Sequence, residues 1–137
     1  MTRSDIAGEL GWMLDDLVER VGDVRTAMVL SRDGLIMATT RGMDRENAEF
    51  LAALAAGFFS LAAGARDHLE AGEVRQAVIE LEEGLFFVVP AGVNSCLALL
   101  SRAGSDAGLV SYEMTMLVRR VSRHLAARPR GADLGAG

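Results

Sequence analysis

From Phe50 to Ala65 the chain runs for sixteen residues without a charge, and Ser60 is the only polar side chain in that run. Wound as a helix at about 100° per residue, the stretch and its flank place Leu51, Ala55, Phe58, Ala62, Ala65 and Leu69 on one face. Phe50, Leu54, Gly57, Leu61 and Gly64 line an adjacent face. A sheet can cover only one of the two, so the other needs a second partner. The run is bounded by charges and rich in alanine and glycine, and it falls short of the roughly 20 predominantly apolar residues that cross a bilayer core. No membrane insertion is expected, and the surplus apolar surface is expected to meet protein, a second copy of the chain being one candidate.

The surrounding pattern supplies the other elements. Asp44 offers a carboxylate to the first amides of the long helix, and Glu46 and Glu49 sit where the helix dipole favours acids, so the helix is predicted from Asp44 to about Leu69 or Glu70. Upstream, Ile6, Leu10, Met13, Leu14, Leu17 and Val21 recur at helical spacing and predict a first amphipathic helix, with Gly22 at its expected C-cap. Ala27 to Leu30 and Leu35 to Thr40 read as strands joined at Asp33-Gly34, a turn that needs a positive φ. Downstream, Glu73 to Leu81 reads as an edge strand, with Ala77, Ile79 and Leu81 facing one way and Gln76, Val78 and Glu80 the other. Glu82, Glu83 and Gly84 turn it into Leu85 to Val89, an apolar run suited to burial on both faces and ended by Pro90. Cys96 to Leu100 is the fifth strand, and Leu109 or Val110, Met114, Leu117, Val118, Val121 and Leu125 form the stripe of a last helix. The order α-β-β-α-β-β-β-α predicts an α/β fold of the α+β type: a five-stranded, mainly antiparallel sheet with helices on both faces. One domain is expected over residues 1–127, with a disordered tail over 128–137.

All 14 basic residues are arginine, against 19 acids, and a net charge of −5 makes nucleic acid an unfavoured partner. The arginines at 119, 120, 123, 128 and 130 cluster near the C-terminus, where cations also complement a helix dipole. A single cysteine allows no internal disulfide, and the first residues lack the apolar core of a secretory signal, so a cytoplasmic address is expected.

Catalytic chemistry finds little to work with. A phosphate-binding P-loop needs a lysine, and the chain has none. His68 and His124 stand alone, without a second histidine or a cysteine at ligand spacing, so neither metal nor cofactor is expected. Cys96 lies in an apolar strand and reads as a small core residue. Asp15 and Asp16 point about 100° apart on a helix, poor geometry for a carboxylate pair, and read as a solvated face. Trp12, beside the first apolar stripe, is a candidate partner contact or a partly buried core residue. Arg32, at the hairpin tip, is a candidate partner contact or a charge kept there for solubility.

The first helix with Trp12-Met13-Leu14-Asp15-Asp16-Leu17-Val18, the hairpin Ala27-Met28-Val29-Leu30-Ser31-Arg32-Asp33-Gly34-Leu35 and the alanine- and glycine-rich second helix, in this order, resemble the roadblock/LC7 family from about Ile6 to Leu125. The resemblance is strongest to the small actinobacterial roadblock proteins of conservon-type operons. It implies a homodimer in which third strands pair edge to edge while second helices pack side by side. Phe50, Leu54, Gly57, Leu61, Gly64, Ala77, Val78, Ile79 and Leu81 are then the expected interface. Gly57 and Gly64 would allow close helix approach, the plain alternative being that they tolerate crowding from their own sheet. The resemblance also implies a non-catalytic regulator or scaffold that binds a small Ras-like GTPase, with sensor-kinase-like proteins as further partners, and Arg32 is then a candidate arginine to insert into the bound GTPase. The alternatives are a small-molecule-sensing module, which needs a cavity, and a purely structural assembly subunit.

Overall fold

The computed structural model describes residues 3–126. The chain forms α1 (Arg3–Arg20), β1 (Val24–Ser31), β2 (Ile36–Thr39), α2 (Arg45–Leu69), β3 (Ala77–Leu81), β4 (Gly84–Pro90), β5 (Ser95–Arg102) and α3 (Ala107–Ala126). This is the element order expected from the sequence. The side chain of Leu125 and the 128–137 tail lie outside the described residues.

The strands form one sheet in the order β2-β1-β5-β4-β3, and each neighbouring pair is antiparallel. Alternation along the strands divides the core into two. Ala27 and Val29 of β1, Phe87 of β4 and Leu97 and Leu99 of β5 face α1 and α3. Met28, Leu30, Phe86, Val88, Cys96 and Ala98 face α2. The predicted stripe of α1 is buried throughout, and in α3 Val110 rather than Leu109 turns inward. α1 and α3 are tied by Arg20, which donates to Asp16 at 2.8 Å and to Glu113 at 2.7 Å, and by the His124–Glu9 pair.

Two junctions follow from residue chemistry. At the β1–β2 hairpin Gly34 takes φ 92°, its N–H donating to the Ser31 carbonyl and the Leu35 carbonyl accepting from Ser31 N–H. At the β3–β4 hairpin Leu81 pairs with Gly84 across Glu82 and Glu83. Gly84 belongs to the strand rather than to the turn, and a Cβ there would lie 2.8 Å from the Ser101 carbonyl oxygen, so only glycine lets β4 approach β5 at this point.

Several boundaries depart from expectation: β1 begins at Val24 rather than Ala27, β5 runs from Ser95 to Arg102 rather than from Cys96 to Leu100, and two further departures have a visible cause. β3 begins at Ala77, not Glu73. Continuing its register would set Gln76 opposite Val89 and Arg75 opposite Pro90, and proline has no N–H for the ladder. Glu73 is instead held by Arg66 at 3.2 Å, and the Gln76 amide oxygen accepts from the Ser111 hydroxyl at 3.2 Å. Gly22 does not adopt the left-handed cap conformation; α1 ends at Arg20 and Val24 N–H donates to the Val21 carbonyl in a tight turn.

Candidate interaction surface

α2 starts and stops where its sequence says. The Asp44 side chain accepts from Asn47 N–H at 2.8 Å, and Glu70 ends the helix at φ 53°, its N–H donating to the Arg66 carbonyl. The face that meets the sheet is rotated by one residue from the expected one. Ala48, Ala52, Ala55 and Phe59 are buried, while Leu51 and Phe58 flank them half-buried. The small side chains let the helix lie close to the strands, and the bulky ones fill the margins. Ala65 and Leu69, expected on the covered face, are exposed.

The second face stays open. Phe50 is 66% exposed and Leu61 72% exposed. A Cβ built on Gly57 or Gly64 meets nothing, so these glycines are not answering crowding from their own sheet. Over its most apolar window α2 is long and apolar enough, by length and composition, to cross a membrane, which the count of alanines and glycines understates. Only 22% of that window is buried in the single chain.

β3 lies at one end of the sheet, as an edge strand should, and packs beside α2. Val78 and Leu81 are exposed, whereas Ala77 and Ile79 pack half-buried against the α2 core. Of the nine residues expected to face a second copy, Leu54, Ala77 and Ile79 therefore already have neighbours within one chain, and the other six are exposed.

The remaining candidates separate. Arg32 does not stand away from the hairpin: its guanidinium lies 4.6 Å from the centre of the Phe59 ring, and its backbone N–H donates to the Asn94 carbonyl. Trp12 is 60% exposed rather than part of the core, and Arg120 of α3 reaches over its ring. Asp15 and Asp16 do diverge, but they are not a solvated face. Asp15 accepts from Arg41 N–H at 2.9 Å and Arg41 Nε at 3.1 Å, holding the segment after β2 against α1, while Asp16 is bound to Arg20. The Asp15 pairing has no signature in the sequence, because its two residues lie far apart in the chain.

Cys96 is fully buried, and loss of solvent pushes its thiol up to about 11, against an opposing pull from Arg32. Its ordinary value is 9.0, so the thiol contributes stability below about pH 9 that is lost as pH rises through about 11. Labelling of the folded protein by iodoacetamide is expected to be negligible near neutral pH and to become rapid in denaturant. Fast labelling in the folded state would show that Cys96 is open to solvent.

The crevice between α2 and the sheet, bounded by Met28, Leu51 and Phe86, has no room for a solvent molecule. A larger hollow of about 320 Å³, lined by Trp12, Asp15, Glu19, Arg25 and Arg41, is open to solvent. Among the described residues no group of three histidines, cysteines or carboxylates could hold a metal ion.

The surface thus consists of an apolar helix face beside an unpaired strand edge, and residues 10–101 match the roadblock/LC7 domain family. The chain belongs to the roadblock/LC7 family. A solved roadblock/LC7 domain from Streptomyces avermitilis is 41% identical, with a TM-score of 0.81, covering 85% of this chain and 98% of that one. The gliding protein MglB of Thermus thermophilus shares the fold at 19% identity and a TM-score of 0.77, over 87% of this chain and 90% of its own. An MglB structure with a tetrameric arrangement is similar at 18% identity and a TM-score of 0.77, over 87% and 89%. No curated protein matches the chain.

Proposed function

We propose that this roadblock/LC7 domain is a non-catalytic homodimeric regulator or scaffold that binds a small Ras-like GTPase in a cytoplasmic bacterial signalling complex. The observation that carries the reading is the continuity of the exposed face of α2 with the free edge of β3. Pairing two copies through β3 would satisfy the edge strand's open backbone groups, and pairing α2 helices would remove Phe50 and Leu61 from water. Gly57 and Gly64 leave room for that approach. The tetrameric arrangement of one MglB structure of the same fold supports the self-association proposed for this chain.

The paired helices and their flanking loops then form the working surface for the GTPase, with sensor-kinase-like proteins as further partners. Arg32 is a weak candidate for an inserted arginine, since leaving Phe59 would cost it a contact of about 0.5–2 kcal/mol. Affinity purification of the tagged protein from its native cells, with GTP or GDP analogues added, tests the partner. Retention of a small GTPase that changes with the nucleotide is expected. Recovery of kinases or scaffold proteins with no GTPase in either state would leave the fold and remove the GTPase.

A further inference from the structure

α3 carries a second surface on the side of the sheet away from α2. Its outward stripe runs through Tyr112, Met116, Arg119 and Arg123, at helical spacing. Tyr112 is 59% exposed and Met116 is partly so. Trp12 stands exposed next to this stripe, with Arg120 over its ring.

The charge here is the reverse of the rest of the molecule. α3, Ala107–Ala126, contains three arginines and one acid, Glu113, a net charge of +2 in a chain of net −5; the remainder is therefore −7. Arg20, Arg41, Arg45 and Arg66 are each paired with a carboxylate. Among the described residues Arg119 and Arg123 have no such partner. Glu113 and Asp16 are engaged by Arg20, Glu9 by His124, and Asp106 by the Leu109 N–H at the start of α3. Like charges four residues apart on a helix repel, so the pair weakens α3 slightly unless something anionic covers it.

We infer that this stripe adsorbs to the anionic headgroups of a membrane surface, with Tyr112 and Trp12 at the level of the interface and Arg119, Arg120 and Arg123 on the phosphates. The stripe borders a hollow of about 580 Å³, lined by Met116, Val118, Arg119, Arg120 and Arg123 and wide open to solvent; arginines beside exposed aromatic side chains on such an open face suit a broad, fluid, negatively charged surface. An acidic protein is the other anionic occupant, and it would need carboxylates placed on Arg119 and Arg123 individually, which a fluid headgroup layer does not. Adsorption needs no insertion, and it leaves the α2 side free.

Vesicles containing phosphatidylglycerol, compared with vesicles of phosphatidylcholine alone, provide the test on the full chain. Binding to the first, lost at high salt, is expected, together with a blue shift of fluorescence from Trp12, the only tryptophan. Arg119→Glu with Arg123→Glu should lower partitioning by about tenfold or more. Arg45→Glu with Arg102→Glu, an equal charge change away from the stripe, should leave it near the wild-type level once circular dichroism has shown both variants folded. Equal binding to both vesicles, or insensitivity to the Arg119 and Arg123 reversal, overturns the inference. So does binding of polyglutamate, sensitive to the same reversal, by a protein that ignores the vesicles, which would assign the stripe to an acidic protein.

Discussion

Leu61→Asp is expected to turn the proposed dimer into a folded monomer. Leu61 is 72% exposed in one chain and touches neither core cluster, so an aspartate there meets only water in the monomer. In the dimer the same carboxylate would be buried on both sides of the two-fold axis without a counter-ion, at a cost on the order of 3 kcal/mol or more. At about 1.4 kcal/mol per tenfold, the dimer should weaken by at least roughly a hundredfold. Sedimentation velocity with thermal unfolding reads both halves: a smaller species whose fold survives. Ile79→Asp is a poorer probe of the same idea, because Ile79 packs against the α2 core and its loss would damage the monomer as well. A Leu61→Asp variant that sediments like the wild type would place the contact elsewhere.

Phe87→Ala is expected to have the opposite signature, a large loss of stability without a surface effect. Phe87 is fully buried in β4, between β3 and β5, and it faces the core shared with α1 and α3. Removing a buried phenylalanine ring costs about 3–5 kcal/mol, against a total stability of about 5–15 kcal/mol for a domain of this kind. Chemical denaturation should show a midpoint shifted far down with little change in slope. A loss below about 1 kcal/mol would mean that the two helices do not enclose this part of the sheet tightly.

Local signals are legible in the sequence because they depend on neighbours in the chain. Asp44 caps α2 three residues before the amide it binds, Gly34 answers the φ of its own turn, and Leu85 to Val89 is apolar on both faces. The α1 stripe needs only its own periodicity. What escapes depends on residues far apart. The start of β3 is set by Pro90 on the neighbouring strand, and the buried face of α2 by how closely Ala48, Ala52 and Ala55 let it approach the sheet. Periodicity yields two apolar faces and cannot say which is covered.

The interaction surface divides in the same way. The surplus apolar face of α2 is legible as a surplus, and the edge character of β3 follows from its charges and short alternation. Side-chain direction is not. Ala77 and Ile79 are half committed to their own chain, Arg32 folds onto Phe59, and Asp15 is bound to Arg41, 26 residues away in sequence. Such pairings leave no periodic trace, because a single long-range contact has no repeat to detect.

The most direct test of the central claim is the mass of the wild-type protein in solution, measured by light scattering over a dilution series. One chain is 14.6 kDa. A mass of twice that value, held on dilution, is the predicted result. A mass of one chain at every concentration would contradict it, and would leave the open face of α2 and the free edge of β3 for a different protein to cover.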